Sequence, residues 1–301
     1  MELLKLLESL RTPFLDSAVG AVTHLGDELF VTVLMLAIFW CVDKRAAYII
    51  GTAFFLAGIT VQGMKIFFRV DRPWVIDPGF SPVPSAMEKA TGYSFPSGHT
   101  QSAATIFGSF GVLAKRKYVK AVCFAVPFLV AFSRMYLGVH TLRDVAASLA
   151  ISALFIFISF KSMGGGRARS KKSSGLALSL FVAAYSAAVL AVALMLFSQG
   201  KIGEQYLSDS LKAAGAGLGF AIGFYIERNF IRFSVETRSF FSQLLKLACG
   251  LAGTFAILEG MKLIPGAGLA ADIARYFLVA MWAFVFFPLI IRRFFQAPRS
   301  E

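Results

Sequence analysis

The apolar residues of this chain are grouped into long runs instead of alternating with polar residues. A helix that crosses a bilayer needs roughly 20 mostly apolar residues. About nine stretches approach this length, and charged residues, Gly or Pro bound each of them. They cover residues 25–42, 46–67, 98–114, 119–137, 145–160, 176–197, 213–226, 244–263 and 273–291. The pattern predicts an all-α fold.

Composition indicates that these helices lie in lipid. Hydrophobic residues make up 57% of the 301 positions, charged residues make up 16%, and phenylalanine occurs 32 times. Soluble domains carry a larger charged fraction. The predicted fold class is therefore a polytopic membrane helical bundle of about nine spans, with five spans before a polar break and four after it.

The net charge of +13 fits either nucleic-acid binding or membrane topology. Most Lys and Arg residues lie in short loops on one side of the predicted spans, and the positive-inside rule assigns that side to the cytoplasm. We therefore expect a multi-pass protein of the cell membrane with no nucleic-acid partner. The carboxyl terminus is expected inside the cell, and nine spans place the amino terminus outside.

The same pattern predicts four regions. An amphipathic segment, residues 1–28, lies on the membrane surface, with its leucines on one helical face. A polar stretch rich in Gly, Ser, Lys and Arg, residues 162–175, is a cytoplasmic linker. The linker separates a transmembrane core, residues 29–161, from a four-helix transmembrane region, residues 176–301. Four glycines near the seventh run allow close packing within the chain or a homodimer: Gly215, Gly217, Gly219 and Gly223.

Two cations close the second apolar run. Lys65 and Arg72 are seven residues apart, which is about two helical turns, and Pro73 stops a helix from continuing. We therefore expect both cations on one face of one helix. Taken alone, they also fit side chains that reach from the membrane to the interface.

The third apolar run begins with the sequence Pro-Ser-Gly-His at residues 96–99. Ser97 is a suitable helix cap, and Gly98 lets a ligand approach the backbone closely. The N–H groups of a helix start favour an anion, over which His99 would stand. A capped helix start with an interfacial histidine is the alternative.

A third cluster connects the fourth and fifth runs. Ser133 and Arg134 precede His140 by a few residues, and Asp144 follows four residues later. Such a separation places His140 and Asp144 on one helical face, where the carboxylate accepts the imidazole Nδ1–H and Nε2 is left as a nucleophile. A structural His–Asp pair is the alternative.

The expected topology brings all three clusters to the outer side of the membrane, next to a long loop, residues 74–95, that is either a functional lid or a disordered connector. Charge at this depth is costly unless it serves a site. Three cations and helix-start amides suit a phosphate group. His24, Asp27 and Glu28 lie on the same side, and we interpret them as solvated interfacial residues.

In this order the three clusters resemble the tripartite signature of the type-2 phosphatidic acid phosphatase superfamily. The resemblance covers about residues 46–160, and the layout is also similar to that of glucose-6-phosphatase and the sphingosine-phosphate phosphatases. It implies that His140 attacks phosphorus to form a phosphohistidine, that Asp144 orients it, and that His99 protonates the leaving oxygen. The implied phosphate ligands are Lys65, Arg72, Ser97, Gly98 and Arg134, with no metal or other cofactor.

The expected function is therefore hydrolysis of a lipid phosphomonoester or pyrophosphate at the outer membrane face. Two alternatives stay open on the sequence. One is a phosphatase for a soluble sugar phosphate, and the other is a transporter or flippase that only binds a phosphate lipid at this place.

Overall fold

The computed structural model describes residues 1–88, 90–164, 173–237, 239–263 and 268–296. The regular elements within these ranges are helices, and a single isolated β-bridge joins Thr237 and Gln296 there. The α-helices are α1 (Glu2–Ser9), α2 (Pro13–Thr23), α3 (Glu28–Ala37), α4 (Lys44–Phe68), α5 (Pro73–Ile76), α6 (Pro84–Met87), α7 (Gly98–Leu113), α8 (Lys117–Tyr136), α9 (Leu142–Gly164), α10 (Ser173–Ser198), α11 (Glu204–Ile226), α12 (Phe240–Gly260), α13 (Gly268–Met281) and α14 (Phe287–Ile290).

Each predicted apolar run coincides with a helix, so the all-helical membrane architecture is confirmed. In the described ranges, six helices are long and apolar enough to cross a membrane. The number rises to seven if Pro13–Gly26 and Glu28–Val42, which meet at 45°, count as one span. The predicted number of nine is not confirmed. One reason is α7, which has only 16 residues.

The chain forms two compact units. The first contains Met1–Thr32 and Thr52–Gly164, and the second contains Val33–Gly51 and Gly165–Glu301. The sequence places all of 29–161 in one region, whereas the structure assigns Val33–Gly51 to the second unit, where Trp40 packs on Phe287 with ring centroids 4.7 Å apart. Of the expected linker 162–175, residues 165–172 lie outside the described residues.

Glycines of α11 let two helices of the second unit approach each other closely. A Cβ added to Gly215 would collide with the backbone oxygen of Ile273, and one added to Gly219 would lie 2.7 Å from the backbone oxygen of Phe277. Small residues at such places allow backbone contact between helices. Of the two roles left open by the sequence, the structure shows packing of Gly215 and Gly219 against α13.

The buried charges of the second unit neutralise one another or bind carbonyl groups. The Lys44 Nζ donates to the carboxylate of Glu227 and to the carbonyl of Phe233. Lys246, which is fully buried, donates to the carbonyl of Val235 at 2.8 Å. Buried charges need such partners, and these contacts fix the end of α11 and the following turn.

In the first unit, the amino-terminal helix contacts the long loop 74–95. Lys5 forms an ion pair with Asp77 at 2.7 Å, and Glu8 accepts a hydrogen bond from the backbone N–H of Ser81 at 3.0 Å. Leu4 and Leu7 are buried. Three other apolar residues of this segment are exposed: Leu3, Leu6 and Leu10. Residues 2–9 are helical, but the leucines are divided between buried and exposed positions, and the location of this segment at the membrane surface stays a prediction.

The described part of the loop 74–95 packs against the end of α8 and the turn that follows it. Val83 and Ala86 form a buried cluster with Tyr136, Leu137 and Val139. The backbone N–H of Val83 donates to the carbonyl of Leu137 at 3.0 Å. These contacts anchor the loop beside the turn that leads to His140, so the interpretation as a disordered connector is wrong.

Candidate active site

Arg72 lies in an extended segment instead of on a helical face. Helix α4 ends at Phe68, Arg69 has a left-handed backbone (φ 50°), and Arg72 is extended at the start of α5. The residue before a proline avoids the helical region. The prediction that Lys65 and Arg72 share one helical face is therefore wrong, although both side chains are delivered to the same site.

The guanidinium of Arg72 is buried among acceptors. Its Nε donates to the carbonyl of Gly92 at 2.7 Å, and its Nη1 donates to the carbonyl of Val139 at 2.9 Å. The same Nη1 lies 3.0 Å from Nε2 of His140. These contacts connect the second helical span, the long loop and the turn before α9 at one point.

The start of α7 has the helix cap that the sequence predicts. Ser97 caps the helix, and its hydroxyl accepts from the backbone N–H of Thr100 at 3.4 Å. A Cβ added to Gly98 would lie 4.0 Å from Nζ of Lys65. The ammonium group therefore lies beside the helix start, where N–H groups and a positive charge together favour an anion.

His140 occupies the turn before α9, whereas the sequence predicts that it shares a helical face with Asp144. It is 2% exposed, and its Nε2 lies against Arg72. A guanidinium can only donate, so Nε2 is the acceptor and the ring proton belongs on Nδ1. Burial, and then the positive charge of Arg72, hold the pKa of His140 well below its ordinary value. The imidazole is therefore neutral near neutral pH.

Asp144 holds the His140 turn from inside the first turn of α9. Its Oδ2 accepts from the hydroxyl of Ser94 at 2.6 Å and from the backbone N–H of Thr141 at 2.8 Å. The same oxygen lies 3.6 Å from Nδ1 of His140, which is an ion-pair distance and longer than a hydrogen bond. The predicted hydrogen bond between Asp144 and Nδ1 of His140 is therefore absent, although the two side chains lie close together.

Arg134 is buried beneath the same turn. Its carbonyl accepts from the backbone N–H groups of Val139 and His140 at 3.2 and 3.3 Å, and its Nη1 donates to the hydroxyl of Thr23 at 3.0 Å. The residue is 1% exposed. The third cation is thus part of the structure that shapes the site, and its charge acts electrostatically on both histidines of the motifs.

His99 contacts the carboxylate of Asp27, which the sequence suggests is a solvated interfacial residue. Its Nε2 lies 2.9 Å from Oδ1 of Asp27, and the other oxygen of that carboxylate lies 2.7 Å from Nδ1 of His24. The interpretation of Asp27 as a solvated interfacial residue is wrong, because its partner is a motif histidine 72 residues away.

Three further polar residues of the site were missed: Thr23, Asp27 and Ser94. Ser94 is fully buried and bonds Asp144. All three lie within a few residues of a motif or at the outer end of the first apolar run. Closeness in sequence to a motif or to the end of that run is the feature by which they could have been predicted.

Comparison with known proteins places this geometry in a family. A model of the PAP2 superfamily matches residues 46–168, which contain the three motif clusters. A second model, the PAP2 superfamily phosphatase transmembrane extension, matches residues 211–299. The chain belongs to the PAP2 superfamily. The predicted resemblance is confirmed, and with it the expectation of a membrane-embedded phosphatase.

Individual relatives of this PAP2 chain cover about half of it. Phosphatidylglycerophosphatase B of Bacillus subtilis (strain 168) is 28% identical over 169 residues, which is 50% of this chain and 75% of the relative. The crystal structure of Aquifex aeolicus LpxE shows 28% identity and a TM-score of 0.43, covering 53% of this chain and 93% of that chain. The first transmembrane PAP2-type phosphatidylglycerolphosphate phosphatase from Bacillus subtilis shows 24% identity and a TM-score of 0.46, covering 57% and 85%.

Proposed function

We propose that this PAP2 protein hydrolyses a phosphomonoester or diphosphate of a membrane lipid through a phosphohistidine at His140. The observation that carries the proposal is the placement of the His140 Nε2 as an acceptor, 3.0 Å from Arg72, with Asp144 on the Nδ1 side of the ring. This arrangement supplies a neutral nucleophile beside a cation that can hold the oxygens of a phosphoryl group.

In the first step, Nε2 of His140 attacks phosphorus while the bond from phosphorus to the leaving oxygen breaks. A phosphate oxygen competes with Nε2 for the N–H of Arg72, which then turns its donor to the substrate. The ring gains positive charge, and the carboxylate of Asp144 at 3.6 Å from Nδ1 stabilises that charge. Histidine 99 gives a proton to the leaving oxygen.

In the second step, water attacks the phosphohistidine and the bond between phosphorus and nitrogen breaks. His99, neutral after the first step, accepts the proton of that water and returns to its starting state. The products are the dephosphorylated lipid and inorganic phosphate, and His140 is regenerated as the neutral imidazole.

The negative charge that develops on the phosphoryl oxygens is stabilised by cations and by the start of α7. Lys65 lies beside Gly98, Arg72 lies beside His140, and Arg134 supplies a further positive charge. Preorganised donors of this kind stabilise a phosphoryl transition state without a metal ion. We therefore propose that turnover continues in the presence of a chelator.

The proposed substrate class is a lipid phosphate. The curated relative phosphatidylglycerophosphatase B supports a lipid phosphomonoester such as phosphatidylglycerol phosphate. The membrane spans give the acyl chains a place to remain while the head group enters the site. A lipid is therefore favoured over the soluble sugar phosphate that the sequence leaves open.

We place the site at the outer face, because the positively charged loops define the opposite side as cytoplasmic. The test starts from a variant without Cys41, Cys123 and Cys249, to which one exposed cysteine is added. In intact cells, a membrane-impermeant maleimide should label Ser85→Cys near the site and spare Arg116→Cys at the start of α8. The opposite labelling pattern would reverse the orientation.

The activity is tested with purified protein in detergent and chelator, on phosphatidic acid, phosphatidylglycerol phosphate, a polyprenyl diphosphate, a sphingoid phosphate and a sugar phosphate. Release of phosphate from the lipids alone is expected. The variants His99→Ala and His140→Ala should be inactive. Unchanged turnover in either variant would remove that histidine from the mechanism, and preference for the sugar phosphate would replace the substrate class.

A further inference from the structure

We propose that Asp27 is a positioning residue for catalysis: it orients His99 and stabilises its protonated form, so that His99 can act as the general acid. The inference rests on the proposed function, in which His99 protonates the leaving oxygen. It gives the phosphatase a second histidine–carboxylate pair, separate from His140 and Asp144, that is built from the segment before the first long helix.

The contact is direct and its geometry is that of a charge-assisted hydrogen bond. Oδ1 of Asp27 lies 2.9 Å from Nε2 of His99, and Oδ2 lies 2.7 Å from Nδ1 of His24. The carboxylate is therefore fixed at both oxygens. With a carboxylate on one side, Nε2 must carry a proton, so Nδ1 is the nitrogen that exchanges a proton with the substrate.

The backbone around this contact is shaped for it. The turn His24–Gly26 is a short 3-10 helix that leads directly to Asp27. A Cβ added to Gly26 would lie 2.5 Å from the backbone oxygen of His99, so only glycine fits there. Thr23, at the end of α2, accepts a hydrogen bond from Arg134. The segment 23–27 therefore contacts two of the three motif clusters.

Electrostatics explain why His99 needs this carboxylate. Burial is the largest effect on the pKa of His99 and lowers it, the positive charges of Arg134 and Lys65 lower it further, and the hydrogen bond and charge of Asp27 raise it. A general acid must be protonated before it acts. Two neighbouring cations repel a protonated imidazole and so oppose this state of His99. The cations are required to hold the phosphate, so a separate anion in direct contact is needed to favour the protonated imidazole, and Asp27 supplies that contact.

The proton balance closes over the two steps. Protonated His99 keeps its Nε2–H with Asp27 and gives its Nδ1–H to the leaving oxygen as the phosphorus–oxygen bond breaks. When water attacks the phosphohistidine, Nδ1 takes one proton from that water. Asp27 remains a carboxylate throughout, so its contribution is charge and orientation, and it transfers no proton itself.

A structural role is the competing explanation, because Asp27 immediately precedes α3 and aspartate is a common helix cap. Asparagine caps a helix start about as well as aspartate. The variant Asp27→Asn therefore keeps a capping oxygen and removes the charge. Glu28→Gln is the matched control, since Glu28 is an exposed carboxylate one position further along.

The test measures kcat of the full chain in detergent on phosphatidic acid and on p-nitrophenyl phosphate. The first has an alkoxide leaving group that needs an acid, and the second has a leaving group that needs little help. Asp27→Asn should lower kcat by about 10²-fold on the lipid, the scale of general acid catalysis, and by under about 10-fold on the aryl phosphate. Glu28→Gln should match the parent on both.

A second comparison asks whether Asp27 acts through His99. In a His99→Asn background, adding Asp27→Asn should produce no further loss on phosphatidic acid, because residues that act as a unit are not additive. Equal losses on both substrates, a further loss in the His99→Asn background, or parental activity of Asp27→Asn would each overturn the inference. If Asp27→Asn does not purify as a folded protein, Asp27→Ser, which also keeps a capping oxygen, is measured in the same way.

Failure of this inference is distinct from failure of the proposed function. If His99→Asn keeps only a small residual activity and His140→Ala is inactive while Asp27→Asn is fully active, only the role of Asp27 is lost. If either histidine variant turns over lipid phosphate at the parental rate, the proposed function itself is wrong.

Discussion

The two units of this phosphatase use buried charge in opposite ways. In the first unit, Arg72 and Arg134 place positive charge near His140, Lys65 lies beside the start of α7, and Asp144 lies 3.6 Å from the His140 ring. In the second unit, the buried Glu227 is paired with Lys44, and Lys246 is bound to a carbonyl group. The first unit places its buried cations beside the motif histidines, and the second pairs its buried charges with each other or with carbonyl groups.

This difference distinguishes buried charges that are expected to serve catalysis from buried charges that are expected to stabilise the fold. A buried ion pair whose partners satisfy each other contributes to the fold or leaves it unchanged. A cation buried beside the proposed nucleophile has a desolvation cost, and a phosphate that binds there would offset that cost. Substitutions in the first unit should therefore change turnover, and equivalent substitutions in the second unit should change stability.

The largest expected effect in this comparison is that of Asp144→Asn. An asparagine amide can donate to Nδ1 of His140, which favours the tautomer with its proton on Nε2 and blocks the nucleophile. We expect kcat to fall by about 10⁴-fold, as for an equivalent substitution in serine proteases, with little change in KM. Steady-state kinetics on a lipid phosphate measure it. A loss confined to KM would contradict the role of Asp144.

In the second unit, Glu227→Gln should destabilise the protein and leave catalysis intact. It leaves the Lys44 ammonium without its anion, which costs about 3 kcal/mol for a buried pair. Thermal unfolding in detergent should occur at a lower temperature, while kcat of the folded enzyme stays at the parental value. The matched control is Glu236→Gln, since Glu236 is exposed. A loss of kcat without a shift in unfolding would show that the second unit takes part in chemistry.

A smaller effect is expected for Ser94→Ala. The hydroxyl of Ser94 donates to Asp144 at 2.6 Å, and both residues are fully buried. Loss of a hydrogen bond to a charged group costs about 1.5 kcal/mol, or roughly tenfold in rate if the transition state feels all of it. The control is Ser85→Ala in the same loop. Identical kcat values for the two variants would remove Ser94 from the support of Asp144.

The smallest expected effect is a dependence on pH near neutrality. Burial and the charge of Arg72 lower the pKa of His140 in the folded state. In the unfolded chain His140 has its ordinary pKa of about 6.5. Its contribution to stability is therefore present above about pH 6.5 and is lost as the pH falls. The acid limb of kcat/KM assigned to His140 should also lie below pH 6.5. An acid limb at higher pH would contradict a neutral, depressed His140.

Helix positions and the helix cap at Ser97 could be predicted because they depend on local signals. Apolar runs, the capping residue Ser97 and the motif spacing are properties of neighbouring residues. Local rules failed for Arg72 and His140, which the sequence places on helices. The structure places Arg72 in an extended segment and His140 in a turn. The proline after Arg72 restricts the backbone there. Helix α9, which carries Asp144, begins only at Leu142, after His140.

Contacts between distant segments could not be predicted. Asp27 and His99 are 72 residues apart in the chain, and Arg134 and Thr23 are 111 residues apart. No periodicity connects such residues, and their chemistry alone also fits interfacial solvation. The one sign in the sequence is position, since Thr23 and Asp27 lie at the end of the first apolar run that is expected on the same side as the motifs.

The most direct test of the central claim is a search for the covalent intermediate. Protein incubated with a ³²P-labelled lipid phosphate is quenched in alkali, in which phosphohistidine is stable, and digested. The account predicts an acid-labile label on the peptide that contains His140, and neither label nor turnover in His140→Ala. Parental turnover in His140→Ala, or a label carried by another residue, would contradict it.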